Sequence, residues 1–263
     1  KSEVFHGHDC YEVRTDDGAS VVADADHLWN VRLHGAGQYR HRKPDYPGKT
    51  GPKSALIDGI GTYRTEFLAR QRSKRPQLQM TQILDLPSMD LPIDPYVLGV
   101  WLGDGSSHYG YVTKPPEDAK WIRSFIEDAG YETTDHPSDP NNFGVLGLQR
   151  QLRELGLLRN KHVPEMYLFA SAEQRLALLQ GLIDTDGHVD HKGMIEFSNK
   201  NPNISEAVRF LAHSLGVKAS LLEHKATLYG KDYGSRWRVN FMLDGAARIP
   251  RKTLARYMRK PSM

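Results

Sequence analysis

Two stretches of the chain repeat one pattern at an offset of 82 residues: VLGVWLGDG at residues 97–105 and LQGLIDTDG at residues 179–187. Each reads as an apolar helix carrying small residues, then an acid, then a glycine. Alignment pairs Gly99 with Gly181, Gly103 with Thr185, Asp104 with Asp186 and Gly105 with Gly187. The offset is too long for a solenoid repeat and suits two half-domains. Glycine inside a helix costs about 1 kcal/mol relative to alanine, so its presence there needs a reason. Small residues four apart form a strip on one helix face, and the expected reason is a second helix backbone lying against that strip.

If the two helices run parallel, Asp104 and Asp186 emerge together at one end. That end carries the negative pole of each helix dipole, where carboxylates are least stable and two of them repel. The glycine after each acid is expected to take the left-handed conformation of a helix C-cap. A divalent cation would turn the repulsion into a site. The carboxylates of Asp104 and Asp186 and the terminal backbone oxygens of Gly103 and Thr185 are the hard donors that Mg2+ prefers.

The rest of the chain supports real cores, with 263 residues of which 39% are hydrophobic. A lone Cys10 excludes a disulfide framework and a cysteine-based zinc site. No apolar run approaches the roughly 20 residues of a membrane span, and KSEVFHGHD lacks a signal-peptide core. A soluble intracellular protein with no membrane partner is expected. Charge is unevenly placed: residues 32–75 hold eleven Lys and Arg against three acids, a local +8 within a net +3. QYRHRKPDYPGKTGPKS reads there as an extended basic arm, with Arg40, Arg42, Lys43, Lys49 and Lys53 expected along a polyanion backbone.

Ahead of that arm, CYEVRTDDGASVVADADHLWNV alternates around a DDG turn, the signal of a β-hairpin. YRTEFLARQRS reads as a short helix and LPSMDLPIDP as a proline-rich connector. These signals place a β-rich segment at residues 1–90, a first half-domain at 91–170 and a second at 171–263.

Residues 97–105 and 179–187 together resemble the paired signature of LAGLIDADG homing endonucleases. The second copy departs from it only at Gln180 and Thr185; the first has Leu102 in place of the earlier acid and keeps Gly99, Asp104 and Gly105. The resemblance implies an α+β fold of two pseudo-symmetric halves, each contributing a curved antiparallel sheet to a saddle over duplex DNA. The pattern of strands and helices after each motif reads as αββαββα in both halves. In SRWRVNFML, alternation sets Arg236, Arg238 and Asn240 on one face and Trp237, Val239 and Phe241 on the other. Arg and Asn suit guanine and adenine edges in the major groove, and His188, Asp190 and Lys192 are expected to repeat the pattern in the partner half-sheet.

What the resemblance implies chemically is metal-assisted hydrolysis of both strands of a long DNA target by a monomer. Asp104 and Asp186 would hold Mg2+, or Mn2+ or Ca2+ in its place, each acid serving one strand. Lys161, in NKHVPEMYL, matches the lysine that precedes the second motif in intein-type members, and Lys252 is the candidate in the other half. A regulator of the same fold that binds without cutting, and an RNA-splicing maturase, are the alternatives. The stretch CYEVRTDDGASVVADADHLWNV, residues 10–31, also resembles part of an intein splicing domain, with His27 at the block-B histidine and Asp24 where a Thr is usual. With Lys1 in place of Cys or Ser and KPSM in place of a terminal His-Asn, the chain is expected not to splice by itself.

Overall fold

The repeated helices are buried on nearly every side. In a computed structural model that describes residues 6–33, 60–70, 76–228 and 231–253, helix α2 (Pro95–Asp104) buries its first eight residues. Helix α6 (Ala172–Asp186) buries eight, Asp184 and Arg175 among them. Both starts are well specified. Asp94 accepts from the backbone N–H groups of Tyr96 and Val97 with Pro95 at the first helical position, and Ser171 and Gln174 form a reciprocal capping box.

Chain contacts divide the molecule into Lys1–Met80 and Thr81–Met263. In the first unit, β1 (Cys10–Arg14) and β2 (Ser20–Asp24) form the expected hairpin, registered from Cys10 opposite Asp24 to Arg14 opposite Ser20. Gly18 supplies the positive φ, 90°, that its turn requires. The segment after it leaves the hairpin: β3 (Leu28–Leu33) lies between β4 (Ile60–Arg64) and β5 (Pro76–Leu78) in a separate antiparallel sheet, and α1 (Thr65–Ala69) follows β4. Arg40, Arg42, Lys43, Lys49 and Lys53 lie outside the described residues.

In the second unit α2 and α6 are surrounded by two antiparallel sheets and the remaining helices. The first sheet runs β6 (Tyr111–Thr113), β8 (Asn142–Val145), β7 (Thr133–Asp135); the second runs β11 (Ala219–Leu228), β12 (Lys231–Phe241), β10 (Ile195–Asn199), β9 (Gly187–Val189). Helix α3 (Pro116–Asp128) follows β6, and α4 (Leu148–Glu154) and α5 (Glu165–Leu168) follow β8. Helix α7 (Pro202–Ser214) follows β10, and α8 (Pro250–Thr253) follows β12. One core joins the halves, with Trp101, Val112, Ile122 and Phe143 continuous with Leu182, Phe197, Val208 and Phe241.

The second half is the αββαββα unit expected; the first is not. There the strand after α2 shrinks to a single bridge between Gly105 and Val112, because the chain turns back through residues 106–110 at once. A second difference concerns the sheet face. His188 stands in the same four-stranded sheet as Arg238, not in that of the other half. The expected division at residue 90 also falls inside the second unit: Leu84 N–H donates to the Ser214 carbonyl and the Gln174 amide bonds both backbone groups of Met89. Among the described residues no helix is long and apolar enough to cross a membrane.

Candidate functional site

The glycine strip makes the contact that the repeat predicts. A Cβ placed on Gly99 would lie 2.3 Å from the Leu178 carbonyl oxygen, and one on Gly181 would lie 2.3 Å from that of Tyr96. One turn on, a Cβ on Gly103 would lie 2.0 Å from Thr185 Oγ1. Gly99 against Gly181 and Gly103 against Thr185 have the same order along both helices, so the helices run parallel and their acids share an end. The Thr185 hydroxyl donates back to the Gly181 and Leu182 carbonyls, leaving its methyl and oxygen to fill the space beside Gly103.

The glycines after the acids depart from expectation. Gly105 (φ −75°, ψ 152°) and Gly187 (φ −88°, ψ 155°) are extended, not left-handed. Glycine is required for space instead: a Cβ on Gly105 would meet the Trp101 carbonyl oxygen at 2.3 Å, and one on Gly187 would meet that of Ile183 at 2.7 Å. The chain therefore passes from each helix straight toward its sheet.

Three acids lie at this end, and they are differently employed. Asp184 is fully buried, where its carboxylate accepts from Tyr96 Oη at 2.9 Å and from the N–H groups of Arg248 and Ile249. Burial nevertheless pushes its pKa up. Asp186 is raised too, first by burial and then by the charge of Asp104; the Asn199 amide donates to it at 2.8 Å. Asp104 pairs with Lys114, whose Nζ lies 2.5 Å from Asp104 Oδ2 and 3.0 Å from the Thr185 carbonyl oxygen.

Both nominated lysines sit on helix ends. Lys161 Nζ donates to the carbonyls of Trp101, at 2.8 Å, Leu102 and Gly105, at 2.6 Å, and lies over the Trp101 ring. Lys252 Nζ donates to the Ile183 and Asp184 carbonyls at 2.6 and 2.9 Å. Cations are favoured at the negative ends of helices, which answers part of the repulsion noted in the sequence. Burial lowers Lys161 to about 8 and Lys252 to about 7. Lys114 is missed from sequence because the 82-residue offset pairs it with Glu196; its structural counterpart is Asn199, thirteen residues after Asp186 where Lys114 is ten after Asp104.

The donors present fit a hard divalent cation. Two carboxylates close enough for one to raise the other are joined by the helix-end carbonyls of Gly103 and Thr185, with no nitrogen or sulfur ligand among them. No group of three or more His, Cys, Asp or Glu side chains suited to a metal occurs among the described residues, so water would complete the shell.

On the four-stranded sheet, Ser220, Asn240, Glu196 and His188 stand in one cross-strand row, followed by Leu222, Arg238 and Ser198, then His224 and Arg236. The opposite face buries Val239 and Phe241, as the alternation requires. Arg238 Nε lies 3.2 Å from Glu196 Oε1. Asp190 does not belong to the face: its carboxylate accepts from the N–H groups of Lys192 and Met194 and builds the turn between β9 and β10. Lys192 is exposed in that turn.

Residues 173–258 match the family model of a LAGLIDADG-like domain. That LAGLIDADG-like segment runs from the first turn of α6 past α8 and contains Asp186, Lys252 and the four-stranded sheet. Over 229 residues, 82% of it, the chain is 33% identical to a replicative DNA helicase, DnaB, of Mycobacterium intracellulare, and it spans 36% of that protein. Over 85 residues it is 28% identical to a replication factor C small subunit of Methanocaldococcus jannaschii, covering 4% of that protein. Structures of the homing endonuclease I-DmoI are also similar. The complex with DNA and Ca gives a TM-score of 0.43 at 17% identity, covering 64% of this chain and 98% of that one. The complex with DNA and Mn gives 0.40 at 18%, covering 59% and 92%.

Proposed function

We propose that this chain is a site-specific endonuclease of the LAGLIDADG type, which hydrolyses both strands of a long duplex DNA target. The observation that carries the reading is the convergence of Asp104 and Asp186 at one end of two parallel, glycine-packed helices. Both acids come from one chain, so a monomer completes the pair. An ion such as Mg2+, Mn2+ or Ca2+ would be held by these carboxylates with the Gly103 and Thr185 carbonyls, where Mg2+ or Mn2+ supplies Lewis-acid stabilisation of phosphodiester hydrolysis. Lys161, with its pKa near 8, is largely protonated at neutral pH and offers positive charge beside Asp104 and Asp186. Lys252, near 7, is poised to hold or release a proton at Nζ.

Substrate recognition falls to the sheet face and the basic arm. Arg236, Arg238, Asn240 and His188 project from neighbouring rows, Lys192 stands at the β9–β10 turn, and the Arg and Asn have the geometry to read base edges. Arg40, Arg42, Lys43, Lys49 and Lys53 extend the footprint along phosphates. The β-rich first unit is proposed to be related to an intein splicing domain. Support comes from the helicase similarity, which extends over 82% of the chain and so reaches beyond the LAGLIDADG-like segment.

Cleavage selection from a randomised duplex library with Mg2+ tests the whole. The expected result is a recovered site cut on both strands, with Asp104→Asn and Asp186→Asn each losing one strand. Selective binding without nicking would favour a regulator, and preference for structured intron RNA would favour a maturase.

A further inference from the structure

The two acids are offered unlike partners. Asp186 receives a neutral amide from Asn199 at 2.8 Å, whereas Asp104 receives the ammonium of Lys114 at 2.5 Å. Asp104 is therefore bonded directly to a cation, whereas the hydrogen-bond partner of Asp186 brings no charge. Lys114 is 7% exposed, and its Nζ also touches the Thr185 carbonyl oxygen at 3.0 Å. It thus engages two of the oxygens that a divalent ion on this side would need. Its backbone is held as firmly: the N–H donates to the Asn141 carbonyl at 2.7 Å. Pro115 follows directly, restricting Lys114 to extended backbone.

We propose that Lys114 is a resident cation that fills the Asp104 side of the site, so that the acid pair takes up one divalent ion, on the Asp186 side, and the halves work unequally. Lys161 lies near both acids and does not distinguish them; the ammonium bonded directly to Asp104 occupies that carboxylate and repels a divalent charge there, while the amide bonded to Asp186 adds no charge. Both faces of this rule are single residues. Removing the charge at Lys114 opens a second ion position; adding one at Asn199 closes the first. In cleavage the strand lost in Asp186→Asn is then the one nicked first by the unaltered protein.

The inference rests on the divalent-ion reading above, and a stoichiometry test separates the two. Mn2+ is titrated into the full chain without DNA, with free Mn2+ followed by electron paramagnetic resonance. Wild-type protein is expected to bind one ion, Lys114→Gln two, and Asn199→Lys none at concentrations that saturate the wild type. Two equivalent ions on the wild type, or an unchanged count in folded Lys114→Gln, overturns the inference alone. No ion on the wild type overturns the divalent-ion reading and the inference together. Should Lys114→Gln fail to fold by circular dichroism, Asn199→Lys decides: an undiminished ion count there overturns the proposal.

Discussion

Tyr96, in the first turn of one motif helix, donates its hydroxyl to the carboxylate of Asp184, near the end of the other, at 2.9 Å within the core. Arg248 lies over the same ring, 4.3 Å from its centre, and its backbone N–H reaches the same carboxylate. Asp184 is thus a fixed part of the helix seam, while its neighbour two residues on faces the site.

Tyr96→Phe removes one donor from a buried carboxylate and should cost about 1–3 kcal/mol in urea denaturation. The pH dependence should steepen as well. With its pKa raised in the folded state, Asp184 binds protons more tightly folded than unfolded, so stability falls as pH rises from about 4 through the folded pKa. Tyr96 opposes that shift, and its loss widens the window of decline.

Gly99→Ala and Gly181→Ala each place a methyl 2.3 Å from a backbone oxygen of the facing helix. Neither oxygen can move alone, so each variant should lose about 3 kcal/mol, the upper end of overpacking costs. Because both open one seam, the double variant should lose less than the sum. Thermal unfolding of the three variants measures this.

Lys252 gives the stability a pH slope of opposite sign. With a folded pKa near 7 against 10.5 for the ordinary group, the unfolded chain binds more protons between these values. Its contribution is complete above about 10.5 and is lost as pH falls through 7. Lys252→Met should flatten the rise in guanidinium midpoint between pH 7 and 9, leaving the smaller slope from Lys161.

Where the chain is cut should matter sharply. Arg175 is fully buried and donates to the carbonyls of Ala170, Ser214 and Leu84. A protein starting at Thr81 keeps all three; one starting at Leu91 leaves a guanidinium donor without Leu84. The shorter form should be less stable by about 1–3 kcal/mol, the cost of an unmet charged donor, in thermal melts.

Replacing Arg40, Arg42, Lys43, Lys49 and Lys53 by Gln should weaken DNA binding. The slope of log affinity against log salt should fall by about 4.5, near 0.9 for each of five phosphates that are no longer neutralised. Equal slopes would remove the arm from the interface.

The helix pair and its acids were legible because glycine at a fixed helical spacing has few explanations, and two copies at one offset have fewer. The sheet face was legible through alternation in residues 235–243. What escaped was set by tertiary placement. Lys114 lies at the acids because of where β6 ends, and no local pattern marks it. Asp190 shares the alternation of a face residue, yet its carboxylate closes a turn. The cap conformation of Gly105 and Gly187 failed because a glycine can answer to crowding as well as to φ, and sequence does not distinguish them.

The seam also governs how the copies can diverge. Since Gly99 and Gly181 each rest on main-chain atoms of the opposite copy, a larger residue at either finds no side chain in the other that could shrink to receive it. Drift is therefore forbidden at that pair and permitted around it, where Gly103 of one copy faces Thr185 of the other and one copy holds Lys114 and the other Asn199. An inherited duplication can in this way keep a symmetric spine while its two working ends become specialists.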